Sequence, residues 1–96
     1  MRLTQEERSH IKHHVSSIFG AQSRVFLFGS RVDDAKKGGD IDLFIEPECI
    51  FNPVEQEIQL LTKLQFVLGD QKIDIVIARD PNRLIEQEAR RNGELL

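Results

Sequence analysis

The chain has one cysteine, Cys49, no run of about 18 apolar residues and no dense stretch of basic side chains. A lone cysteine cannot close an internal disulfide, so a reducing, cytoplasmic setting is expected. Without a long apolar run, nothing in the sequence is built to span a bilayer. The opening Met1-Arg2-Leu3-Thr4-Gln5-Glu6-Glu7 is too acidic and polar to read as a signal peptide. The net charge is −3, and Lys36-Lys37 and Arg90-Arg91 are the basic pairs. That balance argues against strong binding to duplex nucleic acid. A bound nucleotide would need its charge offset by a metal and a few local donors. Repeats, low-complexity segments and linkers are absent too, so the 96 residues predict one domain over 1–96.

What is present reads as a soluble globular chain, 40% hydrophobic and 30% charged. Thr4 with Glu7 has the capping-box spacing and opens a helix with the apolar stripe Ile11, Val15, Ile18 and Phe19, ending at Gly20. Val25–Phe28 is a β-rich run closed by Gly29. The polar stretch from Ser30 to Gly39 predicts one helical turn and a loop. Asp40–Ile45 predicts a second strand. Asn52-Pro53 starts another helix, with Val54, Ile58, Leu61, Leu64 and Leu68 at the helical period. Ile73–Ile77 predicts a third strand, and Asp80-Pro81 opens a last helix ending near Gly93. The expected fold is α/β, in the order α-β-α-β-α-β-α, a small mixed sheet of about three strands flanked by helices.

The most informative spacing joins Gly29-Ser30-Arg31 to Asp40-Ile41-Asp42-Leu43. A small pair closing an apolar run lets the backbone turn close to a ligand. Two aspartates at i and i+2 of a strand point from one face. Adjacent carboxylates repel unless a cation or proton relieves them, and hard oxygen donors of this kind suit Mg²⁺ helped by substrate phosphates. Asp74, between Ile73 and Ile75, offers a third carboxylate if its strand lies beside the second. Three carboxylates on neighbouring strands could surround two ions, the arrangement that clamps the attacking and leaving oxygens of an in-line phosphoryl displacement. Asp40 and Asp42 would ligate both ions; Asp74 would ligate one and help remove the acceptor proton.

Phe28-Gly29-Ser30-Arg31, Gly39-Asp40-Ile41-Asp42-Leu43 and Ile73-Asp74-Ile75-Val76 together resemble the signature of the minimal nucleotidyltransferases. These belong to the DNA polymerase beta-like superfamily. The likeness extends over nearly the whole chain, to the closing Asn92-Gly93-Glu94-Leu95-Leu96. It implies that the turn at Gly29, Ser30 and Arg31 binds the phosphates of a nucleoside triphosphate, and that Asp40, Asp42 and Asp74 are catalytic and hold Mg²⁺. It also implies ATP as substrate, AMP transferred to a tyrosine of a helical toxin of the HEPN class, and an antitoxin role in a homo- or hetero-oligomer. The resemblance departs at Val32-Asp33-Asp34-Ala35, where two acids fall close to the expected triphosphate.

Other readings run beside these. A contact-only antitoxin with a relict nucleotide site is one alternative; transfer to a small-molecule hydroxyl, using a second domain or a homodimer cleft, is another. Arg31 pairs either with a phosphate or with Asp33 or Asp34. Lys36 and Lys37 read as a solvated loop. His10, His13 and His14 read as an exposed helix face rather than a zinc site, and Cys49 as a small buried apolar residue. Phe44 and Phe51 read as core, with Phe44 also placed to border an adenine. Phe51, Phe66 and Leu95-Leu96 are candidates for a partner surface.

Overall fold

Thr4 caps the first helix in both directions. Its Oγ1 accepts from the Glu7 N–H at 3.1 Å, and the Thr4 N–H donates to Glu7 Oε1 at 2.8 Å. The structure, a computed structural model, describes residues 3–28, 41–69 and 71–96. Within them the order is α1 (Gln5–Phe19), β1 (Arg24–Phe28), β2 (Ile41–Glu46), α2 (Pro53–Leu68), β3 (Ile73–Ile77), α3 (Leu84–Asn92) and β4 (Glu94–Leu95). The expected one-turn helix after Ser30 lies outside the described residues.

The sheet is mixed, in the order β3-β2-β1-β4, with β1 antiparallel to β2 and β4 and with β2 parallel to β3. A parallel pair needs a crossover, and α2 supplies it. The fold is therefore the expected α/β type with one strand more. Glu94–Leu95 pairs with Phe26 and Leu27, a contact too short to leave a period-2 signal in the sequence.

The two faces of the sheet are built from alternate residues. Ile41, Leu43 and Ile45 of β2 pack with Val25, Leu27 and Ile73 beneath Ile11, Val15 and Phe19 of α1 and Leu60, Leu64 and Leu68 of α2. The other face carries Phe26, Phe28, Phe44, Val76 and Ala78, with Ala89 of α3 against it. The Phe26 and Phe44 rings lie 5.9 Å apart, and the Arg90 guanidinium sits 4.9 Å from the Phe44 ring centre. Phe44 is fully buried there, which makes it core.

Four expectations need correction. The inward stripe of α2 is Gln56, Leu60, Leu64 and Leu68, while Val54 and Ile58 are 69% and 57% exposed. The helix is apolar on two sides, so its period alone did not say which side packs. Phe51 is 72% exposed and is not core. Cys49 is also exposed; its N–H donates to the Phe19 carbonyl, which fixes the backbone there and leaves the side chain outside. The last helix starts at Leu84, because Asp80-Pro81 forms a turn in which Asp80 Oδ1 accepts from the Asn82 N–H.

Candidate functional site

Parallel pairing of β2 with β3 sets Asp42 directly opposite Asp74. Neighbouring strands lie about 4.8 Å apart and residues in register point the same way, so the two carboxylates stand side by side. Both project from the face that carries Phe44, Val76 and Ala78. Asp42 is half-buried and Asp74 exposed, so solvent reaches the pair from the β3 side. Antiparallel pairing on the other flank places Phe28, the last residue of β1, opposite Asp42. One end of the sheet thus gathers Phe28, Asp42 and Asp74.

Gly29, Ser30, Arg31 and Asp40 lie outside the described residues, as do Asp33, Asp34, Lys36 and Lys37. Their sequence neighbours Phe28 and Ile41 both belong to the end of the sheet that carries the carboxylate pair. Among the described residues, no three His, Cys, Asp or Glu side chains gather as a metal-holding group. Asp42 and Asp74 are two hard oxygen donors in register, a donor set that fits a divalent cation such as Mg²⁺ with other oxygens completing its shell.

A second polar constellation was not anticipated. Glu86 of α3 is completely buried. Its Oε2 accepts from the Arg79 N–H at 3.0 Å, the Asp80 N–H at 3.0 Å and the Arg83 guanidinium at 3.1 Å. Oε1 has no hydrogen bond but lies 3.6 Å from the Arg90 guanidinium. Burial pushes the Glu86 carboxyl upward, and the two backbone donors with the Arg83 and Arg90 charges outweigh it and hold the group below its ordinary range. Arg90 also donates to Glu46 Oε2 at 2.7 Å. Burial likewise pushes Glu46 upward, while bonds from Arg90 and Arg24 bring it down. The spacing Arg83-Glu86-Arg90, at i+3 and i+4, was the signal available in the sequence. Glu46 stands four residues along β2 from Asp42, about 13 Å away. This network braces α3 and the turn after β3; it is not part of the carboxylate pair.

His10, His13 and His14 lie on α1, remote from the sheet's carboxylate face. The His13 and His14 rings are 5.2 Å apart, and His10 Nε2 is 3.8 Å from Glu6 Oε1. Burial, then the neighbouring His13, Lys63 and His10, lower the pKa of His14.

Comparison with known proteins places these features. A family model described as polymerase beta, nucleotidyltransferase, matches residues 11–96. No curated protein sequence matches the chain significantly. The matched segment takes in every strand among the described residues and the carboxylate pair, and the chain belongs to this family.

Proposed function

We propose that this member of the polymerase beta nucleotidyltransferase family is a minimal, Mg²⁺-dependent enzyme over residues 1–96 that transfers AMP from ATP to a hydroxyl of a partner protein. The partner in this reading is a helical toxin of the HEPN class, in the cytoplasm, and the chain is its antitoxin. The observation that carries the reading is the register of Asp42 against Asp74 on one face of the sheet, at the end where β1 leads into Gly29.

Asp40, Asp42 and Asp74 would hold one or two Mg²⁺ ions. Bound there, the metal supplies charge neutralisation and polarisation at the α-phosphoryl group. The chain's own residues do the rest. In this reading Gly29, Ser30 and Arg31 bind the β,γ-phosphates. The acceptor oxygen bonds to the α-phosphorus, the bond to the bridging oxygen breaks, and pyrophosphate leaves. The acceptor proton passes to the Asp74 carboxylate and on to solvent. Asp74 suits that part because it is the exposed member of the pair, open to an incoming group. Such chemistry depends mainly on positioning and electrostatics.

Phe51 and Phe66, 72% and 92% exposed, favour a second reading, neutralisation of the partner by contact alone. Co-expression with the partner toxin separates the two. In the catalytic reading the Asp42→Asn variant folds but no longer rescues growth. Full rescue by that variant would transfer support to the contact-only antitoxin.

A further inference from the structure

β3 is an edge strand with its outer side unpaired among the described residues. The Ile41 N–H donates to the Lys72 carbonyl and the Ala78 N–H to the Ile45 carbonyl, both at 2.9 Å, marking the two ends of the β2–β3 ladder. Both ends use even-numbered positions of β3. In a regular parallel strand the even residues therefore turn their N–H and C=O groups toward β2, and Ile73, Ile75 and Ile77 turn theirs outward. The opposite edge of the sheet is blunted, since β4 has two residues. The β3 edge has five, with no proline, three isoleucines and Asp74 as its one charged residue, whereas exposed edges are ordinarily protected by several charges, bulges or cover.

Beside this edge runs a groove of about 370 Å³ that wraps the β3 edge, lined by Ile50, Val54, Ile75 and Ile77 on one face and by Val76 and Ala78 on the other. Glu57, Arg79 and Arg83 also reach it. Ile50 and Val54 are 46% and 69% exposed. On the face of the strand opposite Ile75 and Ile77 stands Asp74, exposed and one residue from Ile75.

We propose that the acceptor hydroxyl is presented on an extended segment of the partner protein that adds antiparallel to the free edge of β3. This rests on the nucleotidyl-transfer reading and names the acceptor's form. The backbone of such a segment would bond to Ile73, Ile75 and Ile77, the mode of strand addition in which main-chain bonds give affinity and alternate side chains give specificity. The segment residue opposite Asp74 falls at a non-hydrogen-bonded position of the new pair, its Cβ about 4.5–5.5 Å from that of Asp74. A tyrosine, serine or threonine there delivers its hydroxyl to the carboxylate that takes its proton. Residues on either side of it point to the other face, toward Ile50, Val54, Ile75 and Ile77, and should be apolar. An antiparallel segment enters at the end where Arg79 is exposed, so an acidic residue should precede the acceptor. The transfer itself is the one written above, the hydroxyl oxygen displacing pyrophosphate from the α-phosphorus.

Proline at 75 removes an outward N–H and leaves the bonds to β2 and the Asp74 side chain in place. The test compares wild type, Ile75→Pro and Val54→Glu for transfer from α-labelled ATP with Mg²⁺ to proteins of the host lysate, followed by mass-spectrometric mapping of the labelled residue. Thermal melting, with and without ATP and Mn²⁺, checks folding and nucleotide binding of each variant. Strand addition predicts at least a tenfold loss of labelling in both variants, unchanged stabilisation by nucleotide, and a labelled hydroxyl in an extended segment. Equal labelling by a folded Ile75→Pro, or a modified residue inside a helix, overturns the proposal and leaves the transferase intact. Should Ile75→Pro fail to fold, Val54→Glu decides, because its side chain projects from the surface. No label with wild type would instead remove the transferase reading on which the proposal rests.

Discussion

Gln56 is completely buried in a helix whose other inward residues are leucines, and it makes four hydrogen bonds. Its Oε1 accepts from the N–H groups of Phe51 and Asn52, both at 3.2 Å; its Nε2 donates to the carbonyls of Ile18 at 3.1 Å and Cys49 at 3.2 Å. One side chain thus ties the end of α1, the segment after β2 and the start of α2. Replacing it by leucine fills similar volume and strands two donors and two acceptors. A buried group left unpaired costs about 1–3 kcal/mol. Phe51, Asn52 and Cys49 lie near solvent, so water recovers part of that, and the net loss should be about 2–4 kcal/mol. For a domain of this size the melting temperature should fall by roughly 10–30 °C. Glutamate at 56 keeps both accepted bonds but faces its carboxylate toward two carbonyl oxygens, so Gln56→Glu should be worse than leucine at neutral pH and recover on acidification. Urea unfolding and thermal melting followed by circular dichroism measure both. A Gln56→Leu protein melting within about 3 °C of wild type would refute the bracing role.

Gly20 has φ +113°, and a Cβ built there would lie 2.6 Å from Glu48 Oε1; Gly20→Ala should cost about 1–3 kcal/mol in urea unfolding, and an unchanged midpoint would contradict this. Glu86 is held below its ordinary pKa, so its contribution is complete above the unfolded value near 4.5 and is lost as pH falls through the folded one. Glu86→Gln should therefore be less stable than wild type by about 2–4 kcal/mol at pH 7, with the gap closing in acid; parallel stability profiles would sink that assignment.

The order of elements and the two-faced sheet were legible because Ile41, Leu43 and Ile45 alternate with Asp42 and Phe44, and because Thr4, Asn52, Gly20 and Gly69 mark helix ends. The common face of Asp42 and Asp74 was legible as periodicity, but their adjacency was not. It depends on strand order, which is set by how α2 crosses the sheet. Gln56 gave no signal in the sequence, since four well-placed backbone partners are a tertiary property. The same holds for Glu86, whose burial follows from Arg79, Asp80, Arg83 and Arg90 converging on it. Val54 and Ile58 fitted a core stripe because α2 carries two apolar sides, and packing chose the one with Leu60, Leu64 and Leu68. β4 escaped notice because two residues cannot show a pattern.

The most direct test of the carboxylate pair as a transferase site is label transfer from α-labelled ATP with Mg²⁺ in host lysate, comparing wild type with Asp42→Asn. The account predicts a labelled protein with wild type and a loss of at least a hundredfold with the variant, at unchanged fold by circular dichroism. A labelled band of equal intensity with Asp42→Asn, or none with wild type, would contradict it.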